Sequence, residues 1–169
     1  TSVANAANIR LVKTIIAEQQ GNQPLAVVVS ALGGVTDHLI LALQLASRQD
    51  VAYESELQGV EERHLTAVKS LFAVQNQSSI LSEVKRKINE LETLLEGAYL
   101  IGESTQQLSD KVVSYGELLS SLIISWFFKQ EGLDNQLKSG RELIVTNTKF
   151  GNATVDFDNI KAKFVNELQ

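Results

Sequence analysis

The 169-residue sequence predicts an α/β fold with heavy helical decoration. Three observations carry that reading. The apolar, β-branched run Leu25-Ala26-Val27-Val28-Val29 fits a strand covered on both faces, as in a parallel sheet. It runs through Ser30-Ala31-Leu32 into Gly33-Gly34 and a new helical pattern, a strand-turn-helix order. Most of the remaining chain carries apolar residues at steps of three and four, the period of a helix face.

Taken in order, Ile9, Val12, Ile15 and Ile16 form a helical stripe within 3–17, with Ser2 placed to cap it and Gly21-Asn22-Gln23-Pro24 placed to stop it. A central strand is expected over 25–30. Leu39, Ile40, Leu41 and Leu43 mark a helix from Val35 to about Ala46. Leu57, Val60, Leu65, Val68, Leu71 and Phe72 predict another that reaches about Val74, and polar residues 75–79 break it. Leu81, Val84, Ile88, Leu91, Leu95 and Ala98 then alternate steps of three and four. This heptad-like stripe suits an antiparallel helical hairpin, so a helical subregion is expected at about 50–103.

Gly97 and Gly102 punctuate its far end. Residues 108–128 leave little polar face, which marks a central, buried helix ended by Gly132. A second strand is expected within 133–146, interrupted by Ser139-Gly140. Asp156-Phe157-Asp158 opens a last helix with Ile160, Phe164, Val165 and Leu168 on one side. Strands followed by helices imply parallel pairing and sites at the carboxyl ends of strands.

Composition narrows the function. With 44% hydrophobic and 21% charged residues, the chain can bury the core of one domain. The net charge of −5 is interspersed, without the clustered basic patch that a nucleic-acid partner needs. No apolar run approaches the ~18 residues of a membrane span, and no partition into charged, apolar and small-residue segments marks a leader. The absence of cysteine excludes disulfides and thiolate metal sites and permits a reducing compartment, so a cytoplasmic location is expected. The sequence also lacks methionine and opens abruptly at Thr1, which leads us to expect sequence upstream.

Three groups of residues can carry chemistry. Ser30, Gly33, Gly34 and Thr36 form either a tight connection with Thr36 as helix cap, or a cradle in which hydroxyls and helix N–H groups converge on an anion. No Gly-x-x-x-x-Gly-Lys-Ser/Thr pattern occurs, which excludes a P-loop. Glu117 lies on an otherwise apolar helix. It is either a first-turn glutamate favoured by the helix dipole with Ser114 as cap, or an inward carboxylate suited to an ammonium group. Thr1 and Ser2 are either a helix cap or the end of a glycine loop. His38 and His64 read as surface helix residues without metal-ligand spacing, and no metal site is expected. Trp126 reads as a core or interface aromatic, Lys85-Arg86-Lys87 as a solvated face, and Arg141 carries no motif.

Read together, four elements resemble the aspartate kinase branch of the amino-acid kinase family. Thr1-Ser2-Val3-Ala4-Asn5-Ala6 resembles the continuation of that family's Lys-Phe-Gly-Gly-Thr-Ser-Val. Val29 to Thr36 resembles its Val-Ser-Ala-x-x-Gly-Val-Thr, and Ser114-Tyr115-Gly116-Glu117-Leu118-Leu119-Ser120 its Ser-Tyr-Gly-Glu-Leu-Leu-Ser. Phe150-Gly151-Asn152-Ala153 resembles its Phe-Gly-x-Ala segment. Each element alone is weak, and the ordered set over nearly the whole chain is specific.

The resemblance implies an α/β/α sandwich of the amino-acid kinase (carbamate-kinase-like) type, represented by an incomplete, helix-rich N-terminal portion of one catalytic domain. It implies ATP and Mg²⁺ as cofactors, and L-aspartate bound by Ser30, Thr36, Glu117, Phe150, Gly151 and Ala153. Thr1 and Ser2 would lie beside the triphosphate. The implied parent forms 4-phosphoaspartate at the start of threonine, lysine and methionine synthesis. Regulatory domains, some fused to homoserine dehydrogenase, and a homo-oligomer are the partners implied.

The family's catalytic lysine and its Gly-Arg-Gly-Gly-Ser-Asp segment find no match here. The aspartate carboxylate is already ionised near neutral pH, so the transfer needs charge stabilisation rather than a strong base. Without the cationic clamp, the 169 residues are expected to hold most of the aspartate pocket and little or no catalysis. The isolated piece is expected to be oligomeric or marginally stable. The rival reading is a helical assembly module that offers the 81–98 stripe and the apolar 118–128 segment to a partner helix.

Overall fold

In a computed structural model of the chain, which describes residues 2–19 and 25–167, Asn5 rather than Ser2 starts the first helix. The Asn5 Oδ1 accepts the Asn8 N–H at 3.0 Å, and the Asn5 carbonyl accepts the Ile9 N–H at 3.0 Å. Helix α1 spans Ala6–Gln19 and buries Ile9, while Leu11 and Ile15 remain exposed. The expected stop at Gly21-Asn22-Gln23-Pro24 lies outside the described residues, as do Thr1 and Leu168.

Helices α2 (Val35–Ala46), α3 (Tyr53–Leu71) and α4 (Gln77–Ile101) make the body of the molecule, with a 3₁₀ turn at Val74–Asn76 between the last two. The pairing of α3 with α4 is antiparallel. Tyr53 packs against Tyr99 with ring centroids 5.4 Å apart and the rings tilted by 39°, and Glu61 pairs with Lys85. The heptad-like stripe of α4 is buried: Val84, Leu91 and Leu95 are wholly inaccessible. Ile80 replaces Leu81 at the start of that stripe: α4 begins at Gln77, and Ile80, four residues before Val84, faces the core. These side chains are covered by this chain's own helices, which removes the surface the assembly-module reading requires.

The expected continuous helix over 108–128 is two. Helix α5 (Gln106–Val113) is capped by Thr105, whose Oγ1 accepts the Leu108 N–H at 3.1 Å. Helix α6 (Tyr115–Gln130) follows Ser114 directly and is the central, buried one. Leu119 and Ile123 are fully inaccessible, each contributing about 1.5–3 kcal/mol of apolar burial. Phe127 meets Phe72 edge-on at 6.1 Å between centroids.

The expected strands do not form a sheet. Residues 25–30 carry no regular secondary structure and join no ladder, and Leu25, Val27 and Val28 are exposed. A β-branched run becomes a strand only when a neighbouring backbone takes its N–H and C=O groups, and among the described residues no backbone does so. Within 133–146 a four-residue helix α7 (Gly140–Leu143) forms instead. One antiparallel bridge joins Thr146 to Val155, in place of the parallel pairing expected. The described residues are therefore helical, and the α/β sandwich is not seen in them. Helix α8 (Phe157–Glu167) opens as expected at Asp156, whose Oδ1 accepts the Asn159 N–H at 3.1 Å. The Asn159 side-chain amide first, and then that backbone bond, hold the Asp156 carboxyl below its ordinary value. No helix among the described residues is long and apolar enough to cross a membrane.

Candidate functional site

Three of the four sequence elements meet at one place. The Gly33 N–H donates to the Ala4 carbonyl at 3.1 Å, which seats the segment after Ser2 against the glycine turn. A Cβ on Gly116 would lie 2.8 Å from the Ala31 Cβ, so the backbone of the first turn of α6 lies directly against the Ala31 side chain of the 30–36 turn. The Ser120 hydroxyl, wholly buried, donates to the Ser30 carbonyl at 2.7 Å and locks the same contact one helical turn on. Replacing Gly116 by Ala is expected to lose about 1–3 kcal/mol to overpacking, more than the ~1 kcal/mol that helix propensity returns. A urea-unfolding midpoint at or above that of the unmodified chain would refute the contact.

The turn leads into a helix start that no side chain caps. Gly34 adopts a left-handed φ of 80°, a conformation that side chains disfavour, and it precedes α2. Thr36 does not cap α2, contrary to one expectation: no side chain does. Thr36 is half-buried and Ser30 exposed. Asp37 places a carboxylate in the first turn of α2, and the Arg63 guanidinium stands beside Gly34, 3.9 Å from where its Cβ would be.

Glu117 sits in the first turn of α6, at the junction with the 30–36 turn, and is exposed. No side-chain hydrogen bond or ion pair among the described residues reaches its carboxylate, while its backbone carbonyl accepts from the Ser120 hydroxyl at 3.2 Å. Ser114 is not its helix cap. The Ser114 hydroxyl donates to the Lys111 carbonyl at 2.7 Å, and its backbone is helical.

Arg141, for which the sequence offers no motif, belongs to this junction. Its guanidinium donates to the Ser114 hydroxyl and to the Lys111 carbonyl (3.2 Å), and stands 5.6 Å from the Tyr115 ring centroid. Burial, then the neighbouring Glu90 carboxylate, holds the Tyr115 phenol above its ordinary value, so it stays protonated and donates to Glu90 Oε2 at 3.3 Å.

The fourth element docks nearby on α5. Asn147 organises it, its Oδ1 accepting from the Lys149 and Thr154 amides at 3.1 and 3.2 Å. Gly151, at φ 76°, donates its N–H to Asp110 Oδ2 at 2.7 Å. Phe150, Gly151 and Ala153 are exposed. Asp110 lies one turn before Ser114, and that spacing is the only trace in the sequence that could have marked it.

The histidines are not both at the surface. His38 Nδ1 pairs with Glu56 Oε2 at 2.6 Å, tying α2 to α3. His64 is wholly buried on α3. No group of three acidic or histidine side chains among the described residues could hold a metal ion. A cleft of about 680 Å³ lined by Phe72, Ser125 and Trp126 lies elsewhere, about 13 Å along α6 from Glu117 at 1.5 Å per residue.

The model of the amino acid kinase family matches residues 1–166. The chain is 32% identical over 145 residues to bifunctional aspartokinase/homoserine dehydrogenase 1, chloroplastic, of Arabidopsis thaliana, a match covering 86% of this chain and 16% of that protein. It is 31% identical over 163 residues to the Daucus carota bifunctional aspartokinase/homoserine dehydrogenase, covering 96% of this chain and 18% of that one. Among solved structures, E. coli aspartokinase III in complex with aspartate and ADP superposes with a TM-score of 0.87 at 25% identity, covering 99% of this chain and 36% of that one. The chain thus spans under a fifth of these curated relatives and about a third of the solved structure. A match over nearly all its residues, joined to the shared fold, establishes that this chain belongs to the amino acid kinase family.

Proposed function

We propose that this chain is the N-terminal, aspartate-binding part of the catalytic domain of an ATP-dependent aspartate kinase, which forms 4-phospho-L-aspartate for threonine, lysine and methionine synthesis. The observation that carries the reading is the contact between the 30–36 turn and the first turn of α6, made by Gly116 on Ala31 and Ser120 on Ser30. It brings an uncapped helix start and the exposed Glu117 carboxylate to one junction, and the solved relative of like fold holds aspartate and ADP.

In this reading Glu117 takes the substrate ammonium, and Ser30 and Thr36 take its oxygens. Phe150, Gly151 and Ala153 form a wall of the pocket, and Thr1 and Ser2 lie toward the triphosphate. No general base is needed, because the side-chain carboxylate is ionised. The barrier is the approach of an anion to a phosphate, which positioning and cationic groups lower. ATP with Mg²⁺ is the donor proposed from family membership. The described residues offer no acidic cluster for the metal, and no step is derived through it. The remainder of the domain would complete the α/β/α sandwich, with residues 25–30 as one of its strands.

A coupled ADP-release assay tests this. The intact protein carrying this chain is expected to release ADP in proportion to L-aspartate, whereas the 169-residue chain alone releases little or none. ADP release by the intact protein that ignores aspartate would reject the substrate, and robust turnover by the chain alone would reject its dependence on the remainder.

A further inference from the structure

We propose that Asp110 is a positioning residue that seats the Phe150-Gly151-Asn152-Ala153 tip against the α5–α6 junction, and so sets the affinity for the amino-acid substrate. The inference rests on the aspartate-pocket reading above. Nothing in the sequence resemblance assigns Asp110 a role, and the argument is geometric.

The tip is a preformed object. Asn147 Oδ1 binds two of its amides, the Asn147 N–H donates to the Thr154 carbonyl at 3.1 Å, and the Asn152 N–H donates to the Lys149 carbonyl at 3.0 Å. Inside the tip, nothing satisfies the Gly151 N–H. Asp110 does, across 41 residues of sequence, at 2.7 Å, a length typical of a bond to a charged acceptor. The second oxygen of the same carboxylate accepts from Gln106 Nε2 at 3.3 Å, which fixes its plane on the helix. The approach is close enough that a Cβ at Gly151 would fall 2.6 Å from the Gln106 side-chain carbonyl carbon.

Asp110 therefore bonds the tip to the last turn of a helix that runs straight into Ser114 and the Glu117 turn. Arg141 fastens the far arm of the same loop to Ser114 and the Tyr115 ring. Between them, the two bonds hold the wall carrying Phe150 at a set distance from the carboxylate that would take the ammonium. Asp110 is exposed, so its role is not burial.

The test compares Asp110→Ala and Asp110→Asn in the intact protein. Asparagine keeps an oxygen that accepts the Gly151 N–H, and alanine does not. We expect Asp110→Ala to raise KM for aspartate about 5- to 20-fold, in line with the loss of one charge-assisted hydrogen bond, with KM for ATP within twofold. Asp110→Asn should recover most of that loss. Amide exchange of the 147–154 peptide should speed up in Asp110→Ala alone, a readout that works in any folded variant, active or not.

An unchanged aspartate KM together with unchanged exchange overturns the proposal. Equal rises in both KM values, or equal losses in both variants, would overturn it too, by pointing to general damage. Glu117→Ala run alongside separates the two levels: if it weakens aspartate use and Asp110→Ala does not, the pocket stands and the positioning role falls. If neither variant affects aspartate, the pocket reading itself fails.

Discussion

Replacing Glu117 by Ala in the intact protein is expected to lower kcat/KM for L-aspartate by roughly 10- to 100-fold. That is the loss of one hydrogen-bonded charge contact of about 1.5–3 kcal/mol at 1.4 kcal/mol per decade. The fold should be indifferent. The Glu117 side chain is exposed, its carboxylate bonds no other described residue, and it stands in a helix turn that alanine favours. Succinate, which lacks the ammonium, makes the test specific. The intact protein should prefer L-aspartate to succinate, and Glu117→Ala should lose most of that preference while changing succinate use little. A variant that keeps its discrimination would return Glu117 to a helix-dipole role.

Acidification is expected to cost this chain on the order of 3 kcal/mol through one residue, His64. Burial forces its imidazole from 6.5 down to about 4, against the upward pull of the bond to Val60, and the nearby Arg63 charge adds a lesser push in the direction of burial. The Nδ1–H donates to the Val60 carbonyl at 2.7 Å, which leaves Nε2 bare and without a partner. A proton there would sit uncompensated in the core.

Between pH 6.5 and about 4 the unfolded chain binds this proton and the folded chain does not, so stability falls as pH falls. It is fully present above 6.5 and levels off below about 4. Leucine at 64 removes the group while filling similar volume. The difference in unfolding free energy between the chain and His64→Leu, from urea titrations at pH 7.5, 5.5 and 4.5, should shift by that amount toward the variant. A pH-independent difference would show that the ring does not stay neutral when folded.

The helices were legible because their signal is local. Val84, Ile88, Leu91, Leu95 and Ala98 recur at the period of a helix, and burying them calls for neighbouring helices such as α3, which ends six residues before α4 begins. The apolar circumference of 118–128 likewise announced a central position. The break at Ser114 was not legible, since a serine between Val113 and Tyr115 has no propensity strong enough to mark it, and its hydroxyl binds back to Lys111 only once the helix exists. Asn5 displaced Ser2 as the cap by a choice between two comparable residues that only the chain path decides.

Residues 25–30 show the opposite limit. Their composition is that of a strand, yet a strand is a relation between two segments, and the described residues include no partner.

By itself, the sequence determined the family, the substrate class to be expected and the order of the helices, because periodicity and short motifs are properties of neighbours along the chain. Tertiary structure alone decided that Gly116 rests on Ala31, that Arg141 and Asp110 reach the same junction, and that His64 is sealed from water. Those facts arise from contacts between segments 27 to 85 residues apart, where backbone closeness, solvent exclusion and hydrogen-bond partners are set by packing and leave no mark in local composition.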